Sequence, residues 1–327
     1  MTLSIDGLEV LLFLILALLT TIAHGVSALD VDVFAVQVLL CACLTNKVGL
    51  DAQEFRLVKW MYLSAMTVYS VLVIVSCSRS VYRYFHGDIE LFNTFFDPNY
   101  IGIPIVFASV LALGEILYQK KGRLICFVMF AVYGIAILFT ASRGNSVGFA
   151  FGIGLVLLYY LKDKSVGFWE KIWVIAILLI AVAILMGKLM GSFVDQIERM
   201  TTFGEDADNG RFYLWEIIIN EWKKYPVFGL GLKGAARFCG HASHNTYVEI
   251  LAETGIVGFI MMSIVLVRAL IKSYKYDKVF FFALLTLYLQ MAFLDTLINR
   301  CLWPYLCLVA IFPMHPNQCD ASLQKEE

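Results

Sequence analysis

The sequence predicts an all-α polytopic membrane protein. Of the 327 residues, 60% are hydrophobic and only 16% are charged, whereas about a quarter of the residues of soluble domains are charged. The mean hydropathy is +0.78. Apolar runs recur along the chain, and several approach the length of about 20 residues that an α-helix needs to cross a bilayer. We therefore expect a single membrane domain over residues 1–327.

Ten membrane-spanning helices are predicted from these runs. They cover about residues 7–24, 31–45, 60–77, 100–118, 124–140, 145–161, 169–189, 250–270, 279–294 and 300–314. The first run lacks both a basic segment before it and a small-residue cleavage site, so we interpret it as a retained helix. The second run is the weakest, because it is short and flanked by Asp30 and Asp32.

The distribution of basic residues predicts the orientation in the membrane. One set of alternate loops carries Lys47, Arg56, Lys59, Lys120, Lys121, Arg123, Lys162, Lys164, Lys171, Arg268, Lys272, Lys275 and Lys278. Ten spans place this set on one side, which the positive-inside rule assigns to the cytoplasm. Both termini are then cytoplasmic, and a long loop over residues 191–243 lies outside. The net charge of −1 gives no argument for binding nucleic acid.

The long outer loop contains a predicted amphipathic helix over Phe212–Lys224. Its apolar face is formed by Leu214, Trp215, Ile218, Ile219 and Trp222. A helix of this kind can lie on the membrane surface. Tyr225-Pro226 ends it, and glycines at positions 229, 231 and 234 predict a flexible return to the next span.

A polar segment at His244 opens that next span. We expect Ser243 to cap a helix that starts at His244. A histidine in a polar first turn beside the membrane suits a general base. Asn245, Glu249 or Glu253 could then orient the imidazole ring or bind an acceptor. The alternative for all four side chains is ordinary interfacial polarity and packing with other spans.

Two arginines are candidate anion-binding residues. Arg143 lies between Ser142 and Gly144 at the start of a span, where a guanidinium and free helix N–H groups together suit a phosphate. The alternative is a side chain that extends to the interface. Arg211 opens the amphipathic helix, where the helix dipole disfavours a cation unless an anion balances it. The alternative there is a side chain that reaches into water.

No metal site is predicted. The pairs Asp30-x-Asp32 and Asp206-x-Asp208 each offer two carboxylates without a nearby histidine, so we interpret them as solvated turns. The eight cysteines show no metal-binding spacing. A disulfide among Cys77, Cys239 and Cys301 is an alternative to the unpaired thiols that we expect.

Four sequence blocks, taken together, resemble the O-antigen ligase and O-antigen polymerase superfamily of bacterial envelope glycosyltransferases. The blocks are Asp97-Pro98-Asn99, Ser142-Arg143-Gly144, the stretch from Gly210-Arg211 through Leu214-Trp215 and Pro226 to Gly229-x-Gly231, and the stretch from His244-Asn245 to Glu253-x-Gly255-x-x-Gly258. They occur in the order of the family and cover about residues 92–315. The ligases usually carry more N-terminal spans, which leaves the role of the early helices open.

The resemblance implies a metal-independent, inverting glycosyltransferase without a cofactor. It assigns Arg143 and Arg211 to the donor pyrophosphate and His244 to the acceptor hydroxyl. The donor would be a saccharide on undecaprenyl pyrophosphate. The protein would lie in the bacterial cytoplasmic membrane, with its active site on the outer face. Other polysaccharide assembly proteins are possible partners. The compact size and the Asp97-Pro98-Asn99 block favour a polymerase. The alternatives are an O-antigen ligase and, from a different class, a flippase for the lipid-linked sugar.

Overall fold

The computed structural model describes residues 7–25, 32–47, 50–79, 89–91, 94–119, 122–140, 142–174, 176, 210–241, 243–297 and 301–312. Within these ranges the chain is overwhelmingly helical, which confirms the predicted all-α class. Five of the described helices are long and apolar enough to cross a membrane, and three shorter ones are also apolar. A short antiparallel hairpin precedes the fourth helix and pairs Ile89 with Phe96.

The described residues form a series of helices and one short β-hairpin. They are α1 (Gly7–Ala23), α2 (Asp32–Lys47), α3 (Ala52–Arg79), β1 (Ile89–Leu91), β2 (Thr94–Phe96), α4 (Pro98–Tyr118), α5 (Arg123–Thr140), α6 (Arg143–Lys162), α7 (Arg211–Trp222), α8 (Gly234–Cys239), α9 (Thr246–Tyr276), α10 (Lys278–Gln290) and α11 (Trp303–Ala310).

The first six predicted spans are confirmed as helices α1 to α6. The third differs most, because α3 begins at Ala52 rather than at residue 60. Only the start of the seventh predicted span is described, where residues 168–174 are helical; its remainder and residues 191–209 of the long loop lie outside the described residues. The tenth is shorter than expected, since α11 covers Trp303–Ala310.

The chain folds into two compact units. The first comprises residues 1–61 and 210–327, and the second comprises residues 62–209. In the first unit, α1 packs against α2 and α9, and α11 packs against α2. The buried Trp303 ring lies 6.2 Å from the Phe13 ring and 5.8 Å from the Phe34 ring. The helices α7 and α8 pack on each other and on α9.

Apolar stripes are exposed along two helices of the first unit. On α1 the stripe consists of Leu8, Leu12, Ile15, Leu19 and Ile22, and on α9 of Ile256, Ile260, Ile264 and Val267. The spacing of three and four residues places each stripe on a single helical face. Exposed apolar faces of this length suit contact with lipid.

One end of the first unit gathers the basic residues that the sequence assigns to the cytoplasm. Arg268, near the end of α9, pairs with Glu9 in the first turn of α1. Lys59 lies 3.6 Å from Asp277, which follows α9. These contacts place the start of α1 and the end of α9 together.

The second unit is built around α4. Almost every residue from Ile101 to Leu117 is buried, which is the pattern of a helix that is apolar on all sides. It packs against α5 and α6. The hydroxyl of Tyr62 donates to the carbonyl of Pro104 at 2.8 Å, which fixes α3 to the proline inside this helix.

Candidate active site at the start of α9

The α9 helix begins two residues later than the sequence indicates. Its first residue is Thr246, and Asn245 rather than Ser243 is the N-cap. The Asn245 side-chain oxygen accepts hydrogen bonds from the N–H groups of Tyr247 at 3.0 Å and Val248 at 3.1 Å. His244 therefore lies before the helix, in a turn, and the prediction that the helix starts at His244 is wrong.

A single carboxylate fixes this turn. Asp295 Oδ2 accepts the backbone N–H of His244 at 3.0 Å, and Oδ1 accepts that of Asn245 at 3.1 Å. The hydroxyl of Ser243 also donates to Oδ1. These three donors hold His244 in a left-handed conformation with φ of 52°, which costs a residue other than glycine about 1–2 kcal/mol.

Asp295 is the site residue that sequence reasoning missed. Its side chain is 2% exposed, and a buried carboxylate needs hydrogen bonds of the kind described. The available signal was an aspartate directly after the apolar run of α10. The segment around it is joined to α9 by Thr246, whose N–H donates to Met291 O at 2.8 Å and whose hydroxyl lies 3.0 Å from that of Thr296.

The His244 side chain stands half-buried above this turn. Its Nδ1 atom is shielded from solvent and has no hydrogen-bond partner among the described residues. The hydrogen bonds that position His244 thus act through its backbone. The carboxyl group of Asp295 supplies them, whereas the sequence had pointed to Glu249 and Glu253.

Glu249 and Glu253 lie on the buried side of the first two turns of α9. They are 7% and 1% exposed. The Glu253 carboxylate interacts with the backbone N–H groups of Lys233 and Ala235, at the N-terminus of α8. These contacts join α8 to the second turn of α9. Glu249 has one carboxylate oxygen without a hydrogen-bond partner in the described part of the chain.

The predicted amphipathic helix exists as α7 but packs on protein. Ile218 is fully buried against Ala235 and Ala252, with Trp222 and Val248 around them. Part of the apolar face therefore covers α8 and α9, while Phe212 and Tyr213 remain exposed; that the helix can lie on the membrane surface stays a prediction. α7 contacts both α8, which follows it in the chain, and α9.

Arg211 is the first residue of α7, as predicted, and lies at the same end of the unit as His244. The indole Nε1 of Trp215 donates to the carbonyl of Ser243 at 2.7 Å. Arg211 precedes Trp215 by one turn on the same helical face. The N-cap of α7 is Gly210, which forms no side-chain cap hydrogen bond, so Arg211 supplies the charged side chain at this helix start.

The return segment Tyr225–Leu232, here called the clasp loop, closes a break in α9. Gly255 has φ of 68° and ψ of −173° and interrupts the helix. The carbonyls of Ala252 and Glu253 that this break releases accept the N–H groups of Leu230 and Gly231, both at 2.9 Å. The N–H of Ile256 donates to Pro226 O at 2.9 Å. The break thus keeps its backbone hydrogen bonds, which apolar surroundings require.

The glycines of the clasp loop are buried and tightly packed, so the predicted flexible return is wrong. A Cβ atom on Gly229 would lie 2.5 Å from the backbone of Glu253. One on Gly231 would lie 2.8 Å from the Cα atom of Thr21 in α1. The first glycine allows contact with α9 and the second allows contact with α1.

Arg143 lies in the second unit, where two of the sequence blocks meet. Ser142 caps α6, and its hydroxyl donates to Asn99 Oδ1 at 2.6 Å. The buried Asn145 amide donates to the carbonyls of Pro98 at 3.2 Å and Asn99 at 3.0 Å. Arg143 is the first residue of α6 and is exposed. The Asp97-Pro98-Asn99 block therefore builds the support of the Arg143 turn.

The structure brings His244, Asn245, Glu249, Glu253 and the start of α7 together in the first unit. No group of three or more histidine, cysteine, aspartate or glutamate side chains in the described residues could hold a metal ion. The Asp30 and Asp206 pairs lie outside the described side chains. The cysteines that the structure describes are free thiols, as expected: Cys41, Cys43, Cys126, Cys239, Cys301 and Cys307.

Comparison with known proteins identifies the same region. The family model described as O-antigen ligase matches residues 125–263, which include both arginines and His244. The chain is 33% identical to the exopolysaccharide production protein ExoQ of Rhizobium meliloti (strain 1021), over 22% of this chain and 21% of ExoQ. The match thus spans about one fifth of the length of that relative. These two findings confirm, for the region that they cover, the resemblance to the O-antigen ligase and polymerase superfamily.

Proposed function

We propose that this chain is a membrane glycosyltransferase that uses a saccharide linked to undecaprenyl pyrophosphate. The observation that carries the proposal is the His244 turn, which is held by Asp295 and joined through Ser243 to the helix that Arg211 opens. A base on a turn that is joined to the helix of a guanidinium suits sugar transfer from a phosphorylated carrier. The family match over residues 125–263 supports a role in polysaccharide synthesis.

In the proposed reaction, an acceptor sugar hydroxyl attacks the anomeric carbon of the donor. The new carbon–oxygen bond forms as the bond to the pyrophosphate breaks, and the pyrophosphate leaves with the electron pair. His244 accepts the proton of the hydroxyl and later releases it to water. A single displacement inverts the anomeric configuration. General base catalysis of this kind contributes typically about 10²–10⁴-fold.

The negative charge that develops on the leaving pyrophosphate needs a fixed positive partner. Arg143 and Arg211 each begin a helix, so each combines a guanidinium with the N–H groups of a helix start. Such groups stabilise charge without reorganising at the moment of reaction. We propose that these arginines replace a metal ion in this role and that the enzyme is metal-independent.

The acceptor that we favour is another lipid-linked repeat unit, so that the product is a growing O-antigen, capsule or exopolysaccharide chain. The Asp97-Pro98-Asn99 block favours this polymerase over a ligase. The similarity to a protein named for exopolysaccharide production supports a polysaccharide product. A ligase, which transfers the finished glycan to lipid A core or another acceptor, is the second candidate.

Transfer by the purified protein from a lipid-linked donor to a sugar acceptor tests the enzyme assignment. We expect His244→Ala to lower the rate by about 10²–10⁴-fold, because the base is removed. We expect Arg143→Ala and Arg211→Ala to lower it by at least about 10²-fold, as the loss of a fixed charge-stabilising group does. EDTA should leave the rate unchanged.

His241→Ala and Arg123→Ala are the matched controls. His241 is an exposed histidine of the same segment, and Arg123 pairs with Glu170 at 3.4 Å in the second unit. Both should transfer at the wild-type rate. Full activity of His244→Ala would remove the base assignment, and inhibition by EDTA that manganese reverses would remove metal independence. Movement of the lipid-linked sugar across a vesicle membrane without any transfer would favour the flippase.

A further inference from the structure

The end of α1 is built into the candidate site, although it lies far outside the region that matches the family. The hydroxyl of Thr21 accepts the N–H of Leu232 at 2.9 Å. The ring Nε2 of His24 donates to the carbonyl of Gly229 at 3.2 Å. Thr21 is fully buried, so its contact with the clasp loop is shielded from water.

Additional contacts of the same helix end surround the clasp loop. The His24 ring meets the Tyr225 ring edge-on, with centroids 4.8 Å apart. The His24 carbonyl accepts a hydrogen bond from Arg237 Nη1 at 3.3 Å, while Arg237 Nη2 donates to Leu230 O at 3.0 Å. The first helix thus contacts the beginning of the loop, its middle and the α8 helix that follows.

The clasp loop lies between two surfaces. On one side its Leu230 and Gly231 N–H groups bond to the broken turn of α9, and on the other side Gly231 touches Thr21. The loop begins three residues after Trp222, the last residue of α7, so it connects α7 to the broken turn of α9 and adds to the direct packing of α7 on α9. The first helix therefore contacts the clasp loop on the side away from α9, and the loop in turn follows α7, the helix that begins with Arg211.

We propose that Thr21 and His24 are positioning residues of the transfer reaction. They act through the clasp loop, which holds α7 and its Arg211 beside the His244 turn. This inference rests on the proposed function for its kinetic part. It gives the first helix a role that no part of the family match supplies.

Two pairs of variants separate the hydrogen bonds from the volume of the side chains. Thr21→Val has nearly the same shape but cannot accept the Leu232 N–H, whereas Thr21→Ser can. His24→Leu removes the ring donor, whereas the side-chain amide of His24→Gln places an N–H where Nε2 stood. Thr20→Val is the control, because the Thr20 hydroxyl donates to the Leu16 and Ala17 carbonyls of its own helix.

The kinetic readout is the donor KM measured separately from kcat on the purified full chain. We expect Thr21→Val and His24→Leu to raise the donor KM about tenfold each, the effect of one lost hydrogen bond of a shielded group. The value of kcat should change less than twofold, since His244 and Asp295 are untouched. Thr21→Ser, His24→Gln and Thr20→Val should retain the wild-type KM.

Hydrogen–deuterium exchange of the clasp loop provides a readout that does not depend on activity. In Thr21→Val, we expect the peptide that contains Leu232 to exchange about tenfold faster than in the wild type, while Thr20→Val leaves it unchanged. Unchanged exchange in Thr21→Val and His24→Leu would overturn the proposal. Faster exchange without any transfer activity in the wild-type protein would instead overturn the proposed function and leave the contact intact.

Discussion

His244 owes its position to its backbone rather than to its ring. Its N–H is one of three donors that converge on the Asp295 carboxylate. A left-handed conformation at a residue other than glycine persists only where the surroundings determine it. Asp295 is the group that does so here, which makes the placement of the proposed base dependent on a carboxylate from another part of the chain.

Asp295→Asn tests this dependence. In the wild type, Oδ1 accepts from the Ser243 hydroxyl and the Asn245 N–H, and Oδ2 accepts from the His244 N–H. An asparagine amide has a single acceptor oxygen, so it can replace only one of these two carboxylate oxygens. We expect kcat for transfer to fall about 10–100-fold, which corresponds to the loss of one hydrogen bond to a charged group. The measurement is the initial rate at saturating donor, with the amount of protein in the membrane determined in parallel.

Ser243→Ala is the matched control for that substitution. It removes one donor to Oδ1 and leaves the His244 N–H bonded to Oδ2. Its kcat should fall less than that of Asp295→Asn. Equal rates for Asp295→Asn and the wild type would show that the His244 turn does not need the carboxylate.

The sequence could indicate His244, Arg143 and Arg211 because each stands at the junction of a polar turn and an apolar run. It could not indicate Asp295. That residue reaches the site through a contact between positions 51 residues apart, and local patterns carry no information about such pairs. The cap was misplaced for a related reason, since the Ser243 hydroxyl bonds to Asp295 rather than to the helix.

At the level of the elements, the clasp loop and the broken helix α9 form one interlocked structure. The break at Gly255 releases backbone groups, and the loop satisfies them. The two glycines at positions 229 and 231 let the loop approach α9 and α1 closely enough to do so. The Gly-x-Gly pattern therefore serves close packing between helices.

Gly231→Ala should destabilise the protein much more than Gly240→Ala. Both glycines have a positive φ, of 77° and 72°, so alanine introduces similar backbone strain at either site. A Cβ atom at position 231 would also lie 2.8 Å from Thr21 Cα, whereas one at position 240 meets no atom within 4 Å. The difference should be about 1–3 kcal/mol, the cost of overpacking.

Thermal unfolding of both variants in the same detergent measures this difference through their Tm values. A Gly231→Ala protein that unfolds at the same temperature as Gly240→Ala would contradict the close packing of the loop against α1. Transfer activity of Gly240→Ala should stay at the wild-type level, because that glycine lies at the end of α8 and away from the clasp loop.

Helix positions were largely predictable, whereas the packing of the loop was not. The apolar runs that define α1 to α6 carry their own signal in length and composition. The period of α7 was also visible in the sequence, but the partner of its apolar face was not. A stripe of Ile218 and Trp222 fits lipid or protein equally well, and only the fold shows that Ala235 and Ala252 cover it.

At the scale of the whole molecule, the polar turns and the basic loops are segregated within the first unit. Lys59, Arg268 and Asp277 gather where α9 ends, while His24, the clasp loop and His244 lie at the other end of α1 and α9. The placement of the proposed site outside the cytoplasm stays a prediction. An enzyme so arranged would use donors that have already crossed the membrane.

Deletion of the gene in its bacterial host distinguishes the two acceptors that the proposal leaves in competition. We expect long polysaccharide chains to disappear and single repeat units to accumulate on the lipid carrier, because a polymerase joins these units. Analysis of the carrier-linked glycans by size is the measurement. Long chains stranded on the carrier would instead identify a ligase, and restoration of the wild-type pattern by the His244→Ala gene would contradict the role of His244 as the base.

The contacts between α1 and the clasp loop also have a consequence for biogenesis. Thr21 and Leu232 are 211 residues apart, and His24 and Gly229 are 205 apart. During synthesis the first helix is therefore made long before the clasp loop. Until the loop has been synthesised, Thr21 and His24 lack their hydrogen-bond partners in it. The His244 turn is completed later still, when Asp295 emerges from the ribosome. A nascent chain that stops short of that residue can insert its helices and yet lack the proposed catalytic centre.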